Sequence, residues 1–317
     1  MIQKVYLPEG ALYSTSKNRE YISSLAGLER AYQEGRILEG VVKMCDSDSL
    51  NLHIDLYGTE GIIPKEECVL GEEIKDIAII TRVGKVVAFK VIGFTEGKNN
   101  KRIAILSRKE AQRQCLENYL MDLIPGDIIP ARVTHLEPFG AFVDIGCGII
   151  SLLSVDSVSV SRISTPRDRF SLRESIYVVV KSIDRESKRI FVSTKELFGT
   201  WEENANGFSI GQTVSGIIRS VESYGIFVEL APNLAGLAEL KDDVYVGDKC
   251  AAYIKSIMPD KMKIKLVIID TYENNDPPST KEHIYIDTNE ITHIDRWQYS
   301  PPNCQRVIES DFQSKKG

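Results

Sequence analysis

The sequence predicts a mainly β protein made of three tandem five-stranded β-barrels, preceded by an N-terminal helix and joined by short helical linkers. The first observation behind this prediction is an internal repeat in which each copy begins with glycine. The aligned segments are 35–42, 126–133 and 211–218. The second observation is equal spacing within the copies, because Gly126 to Gly140 and Gly211 to Gly225 both span 14 positions. The repeat therefore sets the domain organisation.

Each copy continues through a small-residue loop into an apolar run and closes with two β-rich runs joined by a charged turn. The apolar runs are 60–63, 150–153 and 235–238. The closing pairs are 86–93 with 102–106, 176–183 with 189–193, and 249–257 with 262–268. Five short strands with turn signals between them predict a small closed barrel. The three barrels are expected at 35–110, 126–197 and 211–270.

Helices are predicted before and between the barrels. Residues 16–34 carry apolar positions at three- and four-residue steps, and Gly35 ends this helix. Residues 107–123 show a similar spacing and stop before Pro125. The resulting segments are an N-terminal cap at 1–34 and linkers at 111–125 and 198–210.

The C-terminal tail, residues 271–317, matches no repeat. Asn274–Ser279 reads as a turn or linker, and 283–287 alternates as a strand does. Trp297 and Tyr299 follow in a second short segment. Three placements stay open: the tail completes the third barrel, docks on a neighbouring element, or binds a partner.

Composition favours a folded cytoplasmic protein. With 317 residues, 43% hydrophobic and 26% charged, the chain suits two to four compact units. No apolar run approaches the ~20 residues that cross a bilayer, and the first residues lack the apolar centre of a signal peptide. Six cysteines are scattered singly without a CxxC pair, which favours reduced thiols over a disulfide framework or a zinc site.

The net charge of −6 is distributed unevenly along the chain. Residues 126–196 carry 10 Lys and Arg against 9 Asp and Glu, whereas residues 197–317 carry 12 against 18. These counts do not support a broad surface for duplex phosphate, but they leave room for a local basic face.

The second and third copies share a motif of aromatic residue, glycine, small or apolar residue, Phe, Val and acid. The two segments are Glu137–Asp144 and Glu222–Glu229. On a strand, Phe142 and Asp144 share one face while Val143 and Ile145 take the other, which suits a core. The aromatic rings are then offered to the outer face, and Gly140 lets a backbone pass close beside them. Two flat rings a short step apart suit stacking on nucleic-acid bases.

A family resemblance extends over about residues 35–270. It is carried by Gly126, Phe139–Asp144, Gly146, Ile183–Asp184 and Lys188–Ile190 in the second copy, and by Gly211, Tyr224–Glu229 and Gly236–Leu237 in the third. These copies resemble the S1-type RNA-binding motif, an OB-fold module, and the whole chain resembles the bacterial ribosomal protein S1 family. The resemblance implies tandem OB-fold barrels that bind single-stranded RNA such as mRNA. It also implies work near the small ribosomal subunit or in RNA stability, in a bacterial cytoplasm. No cofactor, metal or membrane partner is expected.

The chain departs from the family pattern at several positions. The family usually has Gly-Leu-Val-His-Ile-Ser after the aromatic pair, whereas the His position here holds Ser154 in the second copy and Glu239 in the third. The first copy has Pro64 at that position, and Leu50 and His53 where the aromatic residues belong. We expect the first barrel to be architectural and RNA contact to concentrate in the second, with the third contributing.

The candidate stacking residues are Phe139 and Phe142, extended by Tyr224 and Phe227 in more acidic surroundings. The alternative for Phe139 and Phe142 is a contact between barrels. The candidate phosphate contacts are Arg132, Arg189, Arg219 and Lys263, for which the alternative is a solvated side chain.

Three further residues of the second copy complete the candidate interface. Asp184 resembles the family's Asp at the last hairpin, where it would orient Arg189 or accept from a base edge. The alternative is a turn Asp that binds its own backbone. His135 is placed to touch RNA or to lie solvated, and Ser154 replaces the RNA-facing His.

The resulting hypothesis is a non-catalytic, single-stranded RNA-binding protein. One rival is a protein-interaction scaffold that docks on a ribosome, polymerase or decay enzyme through acidic faces and the segment Trp297–Tyr299. A second rival is a nuclease or its accessory, for which the sequence supplies no metal-binding carboxylates. Gly93–Asn99 is interpreted as a hairpin turn and not a phosphate loop, and His283 and His293 do not suggest a metal site. The oligomeric state is not predicted.

Overall fold

The protein is described by a computed structural model that covers residues 6–71, 75–97, 101–276 and 284–313. The chain divides into two compact units. One unit holds residues up to 123 with the short segments 130–132 and 144–150, and the other holds 124–129, 133–143 and 151–317.

The N-terminal cap contains two helices where the sequence predicted one. Helix α1 (Ser16–Ile22) and helix α2 (Leu25–Glu34) are separated at Ser23 and Ser24. The Ser24 hydroxyl accepts from the Gly27 backbone N–H, so this serine starts a new helix instead of continuing the first. Gly35 ends α2 in the left-handed conformation with φ 59°, as predicted.

The first barrel is closed, with strand order β1-β2-β3-β5-β4. Its strands are β1 (Ile37–Cys45), β2 (Leu52–Leu56), β3 (Thr59–Ile63), β4 (Val86–Glu96) and β5 (Arg102–Ser107). The chain between β3 and β4 adds helix α3 (Asp76–Ile80), which the sequence interpretation did not contain. Strands β3 and β5 pair in parallel, and the other neighbours pair antiparallel.

A helical linker follows, as predicted from the spacing of residues 107–123. Helix α4 (Arg108–Cys115) is capped by the Ser107 hydroxyl and continues as a π-helical turn, Leu116–Leu120. Arg108 and Cys115 are fully buried, so one face of this linker is core and not surface.

The second barrel is also closed, with strand order β10-β8-β7-β6-β9. Its strands are β6 (Ile128–Glu137), β7 (Gly140–Asp144), β8 (Ile150–Ser154), β9 (Ser175–Asp184) and β10 (Arg189–Ser193). The following connector forms the short helix α5 (Trp201–Ala205), and the Trp201 indole is buried.

The third barrel has strand order β11-β12-β13-β15-β14. Its strands are β11 (Thr213–Glu222), β12 (Gly225–Ala231), β13 (Leu234–Ala238), β14 (Lys249–Met258) and β15 (Lys263–Tyr272). The prediction of three closed five-stranded barrels is therefore confirmed.

One register irregularity recurs in all three barrels, between the fourth and fifth strands of each. The pairing steps from Val91 to Gly93, from Val180 to Ser182 and from Ile254 to Ser256. The residue that the pairing skips is Ile92 in the first barrel, Lys181 in the second and Lys255 in the third, and each is exposed. A bulge of this kind aims one side chain out of the regular alternation.

The described part of the C-terminal tail docks on elements of its own unit, which is the second of the three placements that the sequence left open. Strands β16 (Arg296–Gln298) and β17 (Glu309–Asp311) pair with each other and not with a barrel. Trp297 and Tyr299 are buried in the cluster that also contains Trp201 and the core of the third barrel. Residues 284–287 are not a strand, contrary to prediction, and His283 lies outside the described residues.

Two buried carboxylates hold the segment that precedes α1. Glu39 accepts the backbone N–H groups of Gly10, Leu12 and Tyr13 at 2.7–3.0 Å. Asp144 accepts the backbone N–H groups of Glu9, Gly146 and Gly148 at 2.7–3.0 Å. The Glu9 carboxylate in turn accepts two hydrogen bonds from the buried Arg108 guanidinium, at 2.6 and 3.1 Å.

Within the described ranges, no helix is long and apolar enough to span a bilayer. The same part of the chain contains no group of three or more His, Cys, Asp or Glu side chains that could hold a metal ion. The six cysteines are free thiols.

Candidate nucleic-acid interface

The aromatic pair of the second barrel lies on the outer face of β7 and the turn that leads into it. The Phe139 and Phe142 ring centroids are 6.0 Å apart with an interplanar angle of 89°. Phe139 is 57% exposed and Phe142 is half-buried. Val143, the next residue along the strand, is fully buried in the barrel interior. Alternation along the strand therefore presents the rings to solvent, as the sequence predicted.

Gly140 is required by the close approach of a neighbouring strand. A Cβ at this position would lie 2.7 Å from the Leu153 carbonyl oxygen, and the Phe139 carbonyl accepts the Val155 backbone N–H at 3.0 Å. The glycine thus lets β8 pass beside the aromatic pair and holds Phe139 at the rim of the face.

His135 on β6 extends the ring cluster. Its ring centroid is 6.2 Å from that of Phe142 with an interplanar angle of 36°. The Nε2 atom lies 2.6 Å from Glu137 Oε1, and the side chain is exposed. The structure thus brings His135 together with Phe142 and Phe139 on one face.

Ser154 ends β8, and its hydroxyl donates to Ser157 Oγ at 2.9 Å. Lys181, the bulged residue of β9, donates to the same Ser157 oxygen at 3.1 Å. At the position where the family carries His, this chain therefore has a polar cluster formed by the Ser154 and Ser157 hydroxyls and the Lys181 ammonium. The sequence interpretation had not assigned Lys181, because the bulge depends on pairing between β9 and β10.

Asp184 and Arg189 face each other across the last hairpin of the second barrel. The Asp184 carboxylate accepts the Ser187 hydroxyl at 2.5 Å and the backbone N–H groups of Ser187 and Glu186 at 3.0–3.1 Å. These hydrogen bonds, led by the one from the Ser187 hydroxyl, lower the pKa of Asp184. The contacts are those of a turn Asp, and Arg189 beside it is exposed.

Arg132 contacts the N-terminal segment. It lies on β6, is half-buried, and donates from Nη1 to the Glu9 carbonyl oxygen at 3.1 Å. Its guanidinium also lies against Gly10, where an added Cβ would come within 2.2 Å of Nη1. This contact favours a role in fixing the N-terminal segment.

The third barrel repeats the aromatic geometry. The Tyr224 and Phe227 ring centroids are 6.1 Å apart with an interplanar angle of 89°. Tyr224 is 67% exposed. Lys263 at the start of β15 is exposed as well.

Arg219, which the sequence offered as a phosphate contact, lies in a buried ion cluster. Its Nε and Nη2 atoms donate to the Glu229 carboxylate at 2.8 and 3.1 Å, and Nη1 lies 3.1 Å from Asp168 Oδ1. Arg169 donates to the same Glu229 carboxylate at 2.6 Å and is 2% exposed. The alternation of β11 placed Arg219 on an outer face, but a loop distant in sequence covers it.

The two other barrels differ from the second in the side chains beside or within the aromatic positions. In the third barrel, Glu239 accepts from the bulged Lys255 at 3.1 Å, so the cation is paired. In the first barrel, His53 stands at the Phe142 position and lies between two carboxylates, 2.9 Å from Asp46 and 3.0 Å from Glu60.

Exposed aromatic rings with a nearby cation on an OB-type barrel are typical of proteins that bind single-stranded nucleic acid. Residues 122–195 match the family model described as S1 RNA binding domain. Over most of its length the chain is similar to relatives named small ribosomal subunit protein bS1.

Relatives match over most of the chain. It is 27% identical over 296 residues to "Small ribosomal subunit protein bS1" of Staphylococcus aureus (strain COL), covering 87% of this chain and 73% of that protein. It is 27% identical over 278 residues to "Small ribosomal subunit protein bS1 homolog" of Bacillus subtilis (strain 168), covering 86% and 69%. A match of 28% identity to "Small ribosomal subunit protein bS1" of Chlamydia muridarum covers 76% of this chain and 44% of that protein.

Proposed function

We propose that this chain binds single-stranded RNA through the second barrel and works in translation in a bacterial cytoplasm. The observation that carries the proposal is the perpendicular pair Phe139 and Phe142 on an outer barrel face. Base stacking on such rings contributes about 1–3 kcal/mol per base and tolerates every base, so weak sequence preference is expected.

The proposed interface keeps most residues predicted from the sequence and sets three aside. Phe139, Phe142 and His135 form the stacking face, and Ser154 and Arg189 supply polar contacts beside it. Arg132 and Arg219 leave the set because their guanidinium groups are engaged with Glu9 and with Glu229 and Asp168. Asp184 is assigned to the hairpin turn. Tyr224, Phe227 and Lys263 extend the track onto the third barrel.

Fluorescence anisotropy with a short unstructured RNA tests the stacking face. The double change Phe139→Ala and Phe142→Ala should lower RNA affinity by roughly tenfold or more, because it removes both rings on which bases stack. Both proteins should show a small dependence on salt, since stacking adds no phosphate contact. The matched change Tyr224→Ala and Phe227→Ala should cost less. Equal affinity of the wild type and the Phe139 and Phe142 variant would contradict the proposal.

The translational part of the proposal is supported by the similarity to small ribosomal subunit protein bS1, and it is tested separately. We expect the chain to co-sediment with small ribosomal subunits and to carry mRNA with them. A chain that binds RNA but stays in the supernatant would contradict the ribosomal assignment alone. Incubation of labelled RNA with Mg²⁺ or Mn²⁺ checks the non-catalytic assignment, for which intact RNA is expected.

The scaffold alternative loses its main feature. Trp297 and Tyr299, which were its proposed docking rings, are 6% and 5% exposed in the core of their own unit.

A further inference from the structure

The aromatic face of the second barrel continues beyond β7, across β8 and onto β10. Phe191 on β10 pairs in register with Leu152 on β8. In the third barrel, the residue equivalent to Leu152 is Leu237, which pairs with Phe227 on one side and with Lys265 on the other. The equivalent row in the second barrel is Phe142, Leu152 and Phe191.

This row lies on the outside of the barrel. Ile190 and Val192, the neighbours of Phe191 along β10, are buried, whereas Phe191 is 39% exposed. Leu152 is half-buried between buried Ser151 and Leu153. Because adjacent strands lie about 4.8 Å apart, the Phe142 and Phe191 positions are about 10 Å apart on one face.

The other barrels lack an aromatic ring at this position. The registers place Ile105 there in the first barrel and Lys265 in the third. The outer face of the second barrel therefore carries an exposed ring, Phe191, that the other two barrels lack at this position.

The bulge places a lysine one residue along β9 from the partner of this ring. Phe191 pairs with Ser182, and the pairing then skips Lys181. The Lys181 ammonium donates to Ser157 Oγ, and it takes part in none of the ion pairs found among the described residues. An ammonium group has three N–H donors, so this one contact leaves donors for an anionic ligand.

We propose that Phe191 and Lys181 form a second half of the RNA surface on this barrel, which rests on the proposed function above. Phe191 stacks on a base beyond those held at Phe139 and Phe142. Lys181, positioned by Ser157, binds a phosphate of the same strand. The chemistry recognised is an extended single-stranded RNA that runs from the rim of β7 across β8 to β10.

Substitutions at Phe191 in the full chain separate stacking from simple apolar contact. Phe191→Ala should lower the affinity for an unstructured RNA by roughly 5- to 150-fold, the range that corresponds to one stacked base. Phe191→Tyr should restore binding because it keeps the ring, and Phe191→Leu should not, because it keeps only apolar area. The salt dependence of binding should be unchanged in all three variants.

Lys181 is tested by the salt dependence itself. Loss of one phosphate contact should make the slope of log K against log salt concentration shallower by about 0.7 in Lys181→Gln. Lys181→Arg keeps the charge and should keep the slope. Thermal unfolding followed by circular dichroism should give the wild-type midpoint for each variant, since both side chains are exposed.

The outcomes distinguish this proposal from the one on which it rests. If the Phe139 and Phe142 double variant loses affinity while Phe191→Ala and Lys181→Gln bind like wild type, the second half of the surface is refuted and the RNA-binding function stands. If Phe191→Leu binds as well as wild type, stacking at Phe191 is refuted. If the wild-type chain does not bind RNA, both proposals fall.

Discussion

The second and third barrels carry the same aromatic pair in different surroundings. The ring centroids are 6.0 Å apart in one and 6.1 Å in the other, and both pairs are perpendicular. Beside the first pair, the bulged Lys181 contacts a serine hydroxyl; beside the second, the bulged Lys255 contacts the Glu239 carboxylate. The geometry of the rings is therefore the same on the two surfaces. The two surfaces differ in the partner of the neighbouring lysine.

The acidic residue that ends the motif also differs in its contacts between the two barrels. Asp144 and Glu229 occupy the same repeat position, and both are buried. Asp144 accepts three backbone N–H groups, whereas Glu229 lies between Arg169 and Arg219. Neither carboxylate is presented to a ligand. One of the acidic residues that the sequence places near Tyr224, Glu229, is therefore neutralised inside the protein and does not contribute charge to the surface.

The largest effect is expected when the buried cluster of the third barrel is broken. Glu229→Gln removes the charge that compensates the buried Arg169, whereas Arg219 keeps Asp168 as a partner. Leaving a buried guanidinium group unpaired costs about 3–5 kcal/mol. Urea unfolding followed by circular dichroism measures the loss. The control Glu239→Gln changes an exposed carboxylate and should stay within about 0.5 kcal/mol of wild type. Similar losses in the two variants would show that Glu229 is not a structural acid.

A pH dependence is expected from the equivalent acid of the second barrel. Burial raises the pKa of Asp144 to about 7, with a further contribution from the Glu9 carboxylate, and burial raises the pKa of Glu39 to about 7. Between about pH 4 and about pH 7, the folded state then holds protons that the unfolded state has released. The free energy of unfolding should therefore fall as pH rises through this window, by at most about 1.4 kcal/mol per pH unit for each carboxyl group.

Asp144→Asn tests the assignment because the amide does not titrate. Its unfolding free energy, measured by urea titration from about pH 5 to about pH 8, should depend less steeply on pH than that of the wild type. The comparison concerns the slope, since the substitution also alters hydrogen bonds. An unchanged slope would assign the pH dependence to other groups such as Glu39.

The smallest effect is expected from exchanging the charge beside the aromatic pairs. Ser154→Glu should give Lys181 a carboxylate partner and lower RNA affinity, and Glu239→Ser should release Lys255 and raise it. Each change should be roughly two- to fivefold, since exposed charge pairs are worth about 0.2–1 kcal/mol. Anisotropy at low salt measures both, and the differences should shrink at high salt. Changes of the same sign in the two variants would show that the neighbouring charge does not set the difference between the barrels.

Local signals in the sequence predict most of the fold. The repeat and the two-residue alternation fix the strands of all three barrels, because each strand needs only its own pattern to choose an inner face. The break between α1 and α2 has a local signal as well, since Ser24 caps the second helix. This signal was outweighed by the apolar spacing that runs through both helices.

Contacts between distant segments are what the sequence does not reveal. Arg132 and Arg219 occupy outer strand positions, but their partners Glu9 and Asp168 come from loops far along the chain. The tail is similar, because His293 Nδ1 meets Asp127 Oδ1 at 2.7 Å across 166 positions. Phe191 alternates visibly with buried neighbours, but its place in the aromatic row depends on the parallel pairing of β8 with β10.

The recurring bulge has a consequence for how duplicated barrels diverge. Most strand positions are tied to the core by alternation, so a change there alters packing or shifts every side chain that follows. A bulged residue is not bound by this alternation, because its side chain projects outward regardless of the residue type. After duplication, this position is one where copies of a gene can acquire different charges without a cost in folding. This chain contains two such solutions, an uncharged residue at Ile92 and a cation at Lys181 and Lys255.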